Sequence, residues 1–165
     1  MPARTTTFKG SPLTLTGREL HVGDTLPKFK LTGGDMNDVT ERDFAGSTLV
    51  ISVVPSLDTP VCALQTKRFN QEATRLPGVK ILTVSMDLPF AQKRWCGAEG
   101  IENLTTASDY KYRRFGEDFG TYIQEWGLLA RAVFIADKNG AIQYVQYVPE
   151  ITDEPLYEDA LKKLR

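Results

Sequence analysis

Histidine and cysteine are scarce in this chain, and so are long apolar runs and any excess of one charge. The 165 residues include one histidine and two cysteines. His21 lies in Arg-Glu-Leu-His-Val-Gly-Asp, far from both cysteines, so a cysteine–histidine protease dyad has no local support. A surface position is expected for it. One histidine and two widely separated cysteines also make a poor zinc set. The net charge of −1 leaves no basic excess to neutralise phosphates, which argues against nucleic acid as a partner. The densest basic run, Lys111-Tyr112-Arg113-Arg114, suits a solvated helix face. No apolar stretch approaches the ~20 residues that cross a bilayer. Residues 1–10 lack the apolar core of a signal peptide. A cytoplasmic protein with no membrane association is expected, and in that reducing compartment two cysteines are reactive or transient partners and not a permanent staple. There is no C-x-x-C, which disfavours a thioredoxin-type dithiol reductase.

What is present is an ordinary globular composition. Hydrophobic content of 41% with 25% charged residues predicts one domain over 1–165, long enough to build a core without staples. The informative stretch is Pro55-Ser56-Leu57-Asp58-Thr59-Pro60-Val61-Cys62, between an apolar run and a helical pattern over Val61–Leu76. Thr59 suits the helix N-cap, and Pro60 suits the first helical position, where its missing N–H would be unpaired anyway. Cys62 then falls in the first turn, where free amides and the helix dipole favour an anion such as a thiolate, the reactive form of cysteine. Cys62, Phe69, Ala73 and Leu76 share one helical face, so a core thiol is the alternative. A purely structural thiol gains nothing from a Thr-Pro helix start, which favours function.

Taken in order, Thr5–Lys9 and Leu13–Leu20 are β-prone around Gly10-Ser11-Pro12, which predicts a hairpin. Gly33-Gly34-Asp35 marks a turn, and Val39–Phe44 a short connector. Leu49–Val54 is apolar on both faces, as in a central buried strand, and Val79–Val84 and Arg131–Ala136 repeat the pattern. Pro89–Glu99 has helical spacing with Ala91, Trp95 and Ala98 on one stripe, which turns Cys96 toward the rim. Asn103–Ser108 predicts a weak strand and Lys111–Asp118 one or two helical turns. Asn139-Gly140 predicts a hairpin into Ala141–Tyr147, and Glu154-Pro155 opens a last helix to Leu164. Alternation followed by a hairpin indicates an α/β, thioredoxin-like domain, with a mixed sheet flanked by helices and an N-terminal β-hairpin extension over 1–32. Ligands of such sheets meet the carboxyl ends of the strands, where Pro55–Cys62 lies.

An ordinary thiol is only a few per cent ionised at neutral pH, and a helix N-terminus with a nearby cation changes that. Arg131, at the head of an apolar strand, is a candidate cation, although an arginine at a strand end commonly pairs with a surface acid. Thr59 can cap the helix, and its hydroxyl can also meet a substrate oxygen. A reactive thiolate with a distant accessible thiol suits a cycle of sulfenic acid followed by disulfide, and local unwinding is expected near both cysteines because a bridge needs Cα atoms ~4.4–6.8 Å apart.

These residues resemble those of a thiol peroxidase, an atypical two-cysteine peroxiredoxin of the thioredoxin-fold superfamily. The likeness rests on Phe8-Lys9-Gly10 with Leu13-Thr14-Leu15, on Val22-Gly23-Asp24, and on Pro-x-x-x-Thr-x-x-Cys as Pro55, Thr59 and Cys62. It continues through Asp87-Leu88-Pro89-Phe90-Ala91, Trp95–Gly100 and Gly127–Ala132. The resemblance implies that Cys62 is the peroxidatic and Cys96 the resolving cysteine of one chain. It implies that Pro55 shields the sulfur, and that Thr59 and Arg131 orient the peroxide. It implies no metal, haem or flavin, a hydroperoxide substrate, thioredoxin as reductant and a homodimer. Leu88, Pro89 and Phe90 suggest an apolar approach for organic hydroperoxides. A redox-sensing binding protein and an inert thioredoxin-like module with core cysteines are the rival expectations.

Overall fold

The computed structural model describes residues 3–165; Met1 and Pro2, which open the stretch weighed above as a leader, lie outside the described residues. Eleven strands and four helices follow one another as β1 Arg4–Phe8, β2 Ser11–Thr16, β3 Lys30–Gly33, β4 Asp38–Thr40, β5 Thr48–Val53, α1 Pro60–Ala73, β6 Val79–Ser85, α2 Pro89–Glu99 and β7 Thr105–Ser108, then α3 Phe115–Asp118, β8 Tyr122–Ile123, β9 Leu128–Leu129, β10 Ala132–Ala136, β11 Ile142–Tyr147 and α4 Tyr157–Lys162. Seven strands form the main sheet in the order β11-β10-β5-β6-β7-β3-β4, and β1-β2-β8-β9 form a smaller one. β5–β6 and β6–β7 are parallel, so α1 and α2 are the crossovers that parallel neighbours require. All other pairs are antiparallel.

The apolar run in β5 is explained by burial on two sides. Leu49, Ile51 and Val53 point into one cluster with Phe29, Phe115, Phe119 and Phe134. Val50 points the other way, to Phe69 of α1 and Ala160 of α4. Side chains alternate along a strand, so a strand covered on both faces must be apolar at every position.

The hairpin turns at Lys9-Gly10, one residue earlier than expected, with Phe8 opposite Ser11. Both turn residues have positive φ, +51° and +83°, the backbone that a tight two-residue hairpin demands. Its tip is tied to the loop after β11. The Glu150 carboxylate accepts from the Thr7 and Thr152 hydroxyls and from the amides of Lys9, Gly10 and Thr152. Those bonds, the Thr152 amide foremost, hold its carboxyl down to about 2. β3, part of which falls within the 1–32 span, pairs in the main sheet with β4 and β7.

Three local expectations fail for identifiable reasons. Lys111–Arg114 is a turn and not a helix face, because Arg113 has φ +57° and the Asp109 carboxylate takes the Phe115 and Gly116 amides, starting α3 only there. In α2 the buried residues are Pro89 and Gln92, while Ala98 is exposed, so the apolar stripe is not the face that docks. α4 begins at Tyr157, two residues after Pro155. Among the described residues no helix is long and apolar enough to cross a membrane.

Candidate active site

β5 delivers the chain to Val54-Pro55 at its carboxyl end, and α1 starts after Thr59 with Pro60 at the first helical position. Cys62 is thereby held in the first turn, packed among Val54, Leu57 and the half-buried Trp95. Thr59 occupies the N-cap position, yet its hydroxyl does not cap the helix. It donates instead to the Ser56 carbonyl at 2.9 Å. That leaves the oxygen's own acceptor positions uncommitted to the backbone.

β10 runs antiparallel to β5 with Ala132 opposite Val53, so the residue before β10 arrives beside the carboxyl end of β5. That residue is Arg131, 1% exposed. Its guanidinium donates from Nη2 to Cys62 Sγ at 3.4 Å, from Nη1 to Gln65 Oε1 at 3.0 Å and from Nε to the Ile151 carbonyl at 2.9 Å. None of these partners is a carboxylate. The surface ion pair that would have explained the arginine structurally is replaced by a buried cation facing a sulfur. A buried charge needs compensation, and Cys62 Sγ is the partner here able to become an anion.

Gln65 completes the arrangement and escaped the sequence reading. Its Nε2 donates to Ser52 Oγ at 2.7 Å while its Oε1 receives Arg131, so it locks the guanidinium against the core of β5. The usable signal was spacing: a residue three positions after Cys62 shares its helix face.

Cys96 and Cys62 are both free thiols. Cys96 is half-buried near the end of α2, and burial pushes its thiol up, opposed by a hydrogen bond with the Thr106 side chain. Its chain neighbour Trp95 packs into the Cys62 cluster, so the two helices meet there.

A cavity of about 520 Å³ opens at Pro55, Thr59 and Arg131. Its far wall is apolar, formed by Phe8 of the hairpin with Trp126, Leu128 and Ile151. Phe8 and Trp126 stack edge to face, with ring centroids 5.1 Å apart. Phe8 entered the sequence reading only as part of the family likeness, with no site role, and Trp126 not at all; the small sheet brings them together. Leu88, Pro89 and Phe90 do not line this cavity; Pro89 is buried, whereas Leu88 and Phe90 are 51% and 64% exposed at the start of α2. A hollow of about 450 Å³ at Lys28, Arg42 and Arg114 has none of Pro55, Thr59 or Arg131 in its wall, and the fully buried Cys62 lines neither space. His21 is exposed beside Glu19 and Asp24. Among the described residues no group of three or more His, Cys, Asp or Glu side chains could hold a metal.

Comparison with known proteins identifies the family. The Redoxin family model matches residues 21–161. The thiol peroxidase of Streptococcus sanguinis is 50% identical over 160 residues, 97% of this chain and 98% of its own. That of Oceanobacillus iheyensis is 52% identical over 158 residues, 96% of each chain. The crystal structure of a peroxiredoxin-like protein from Aquifex aeolicus superposes with a TM-score of 0.90 at 47% identity, covering 98% of this chain and 96% of that one. The expected thioredoxin-like fold is therefore present, and the chain belongs to the Redoxin family, on its thiol peroxidase branch.

Proposed function

We propose that this protein is a thiol-dependent peroxidase that reduces hydroperoxides at Cys62, with Cys96 as the resolving cysteine and thioredoxin as the reductant. One observation carries it: the Arg131 guanidinium, without a carboxylate partner, lines the cavity and lies 3.4 Å from Sγ of the fully buried Cys62.

Cys62 Sγ attacks one peroxide oxygen as the O–O bond breaks. Two electrons leave sulfur, the alkoxide takes a proton and departs as the alcohol, and Cys62 becomes a sulfenic acid. Arg131 N–H groups face the oxygens where negative charge develops, which is electrostatic preorganisation. The Thr59 hydroxyl, whose hydrogen bond is donated to the Ser56 carbonyl, accepts from the hydroperoxide O–H. Pro55 at the cavity mouth shields the sulfur from bulk water. Cys96 then displaces the sulfenic oxygen, closing the disulfide and releasing water.

The apolar substrate contact falls on Phe8, Trp126, Leu128 and Ile151, which supports organic hydroperoxides over hydrogen peroxide, with Leu88, Pro89 and Phe90 lying on the α2 side. A homodimer acting in the cytoplasm completes the reading. Replacing Cys62 by Ser is expected to abolish peroxide consumption in an assay coupled to thioredoxin. Retained turnover would exclude the assignment, and equal second-order rates for hydrogen peroxide and a bulky alkyl hydroperoxide would exclude the substrate preference.

A further inference from the structure

Two residues at the carboxyl end of β6 hold both cysteine-bearing elements at once. The Asp87 carboxylate accepts from Ser56 Oγ at 2.6 Å, from the Leu57 amide at 2.8 Å and from Ser85 Oγ at 2.8 Å. Ser56 in turn receives the Thr59 hydroxyl, so the loop that enters α1 is anchored on Asp87. From the other side, Gln92 of α2 donates through Nε2 to Ser85 Oγ and to the Ala107 carbonyl, both at 2.9 Å.

Gln92 lies one helical turn before Cys96 and is fully buried. Its Oε1 is buried without a hydrogen-bond partner among the described residues. A side chain that only filled this space would not need an amide, and a buried acceptor left unpaired opposes the two bonds its nitrogen makes. Release of α2 would hydrate that oxygen. The far end of the helix is weakened by Gly97 inside it, although Gly100 closes it with an ordinary left-handed cap at φ +67°. α2 is thus docked through one internally opposed side chain, next to the thiol that must travel.

We propose that Gln92 is a latch that keeps α2 docked on Ser85 and Ala107, and that its release gates disulfide formation between Cys62 and Cys96. The inference rests on the function proposed above. In the gated step the Cys96 sulfur attacks the Cys62 sulfenic sulfur. The S–S bond forms, the S–O bond breaks, and the hydroxyl leaves with the Cys96 proton as water, so no further oxidant is needed. Gln92 touches no reacting atom and is a positioning residue. While the latch holds, the sulfenic acid stays exposed to a second peroxide and to over-oxidation to the sulfinic acid.

The test compares the full chain with Gln92→Met, which keeps the volume and removes both donors. Each is mixed with excess alkyl hydroperoxide and followed by tryptophan fluorescence, with quenched samples mapped for disulfide and sulfinic acid. The peroxide-dependent first phase is expected to stay within about twofold of the parent, while the peroxide-independent second phase speeds up by about fivefold or more, the scale of losing one or two hydrogen bonds. Sulfinic acid at Cys62 should fall in step. General loosening of the fold would not accelerate the second phase alone. An unchanged or slower second phase, with the disulfide still forming, overturns the latch and leaves the role of Cys96 standing. A parent protein that forms no Cys62–Cys96 disulfide overturns both. Should Gln92→Met not fold, Ser85→Ala removes the shared hydroxyl, and a second phase no faster than the parent's overturns the latch equally.

Discussion

Cys62 and Cys96 ride helices that begin alike, each with proline in its first turn after a parallel strand, and yet they occupy opposite electrostatic settings. Cys62 sits in the opening turn of α1, where amides point outward, with a guanidinium on its sulfur. Cys96 sits near the closing end of α2, where carbonyls accumulate and a cation would be favoured over an anion. No cation opposes burial there, and burial pushes the thiol up. On the roles proposed above, placement along the helix, more than the residue, would separate an attacking sulfur from a waiting one.

Removing the cation should break the difference most severely. Arg131→Leu takes away the positive charge facing Cys62, and we expect sulfenic acid formation to slow by roughly 10²–10³-fold, the scale of losing one preorganised donor. Rapid-mixing oxidation of Cys62 measures it. The variant should also lose stability, because Gln65 Oε1 and the Ile151 carbonyl are left unpaired in the interior, at about 1–3 kcal/mol each. Urea titration reads that loss.

A smaller effect follows from Gln65→Leu. The cation stays, but the bond that aims it is gone, so oxidation should slow by roughly tenfold, the scale of one hydrogen bond to a charged group. A rate equal to the parent's would show that Ile151 alone orients the arginine.

Alkylation sharpens the comparison from the other side. Because burial raises the Cys96 thiol, its modification at pH 7 should be slower than that of an exposed peptide thiol, and should climb as pH rises past the ordinary value near 9. The sign for stability follows from the neutral form being favoured in the fold. That contribution is complete below the unfolded value and is lost as pH rises through the raised one.

The smallest expected effect concerns the clip behind the cation. Glu150 precedes Ile151, whose carbonyl holds Arg131 Nε, and its carboxyl is lowered to about 2 by the bonds it accepts. Its stabilisation is therefore present above its ordinary value near 4.5 and is lost as pH falls toward 2. Protection of the Lys9 and Gly10 amides against hydrogen exchange, relative to the intrinsic rate at each pH, should fall across that window, and Glu150→Gln should lower it at neutral pH.

Much of this was legible in the chain because its signals are local. β5, β6 and β10 announce themselves by unbroken apolar runs, and α2 was bounded correctly by Pro89 and Gly100. The Pro55–Cys62 stretch located the thiol at its helix start. What escaped is non-local. β8 and β9 are two residues each, too short to carry a period, and they bring Trp126 to Phe8 across the molecule. Gln92 and Gln65 are buried polar side chains, which apolar stripes count as surface. The hydroxyl of Thr59 suits a helix cap, yet in the fold it donates to the Ser56 carbonyl and accepts no helix amide.

The most direct measurement is sulfenic acid trapping in the Cys96→Ser protein, which cannot resolve. After one equivalent of an alkyl hydroperoxide, a dimedone adduct is expected on the peptide carrying Cys62 and is expected to vanish in Cys96→Ser combined with Arg131→Leu at the same short reaction time. No adduct on Cys62, or an adduct formed equally fast without the guanidinium, would contradict the claim that Arg131 makes this sulfur the one that meets peroxide.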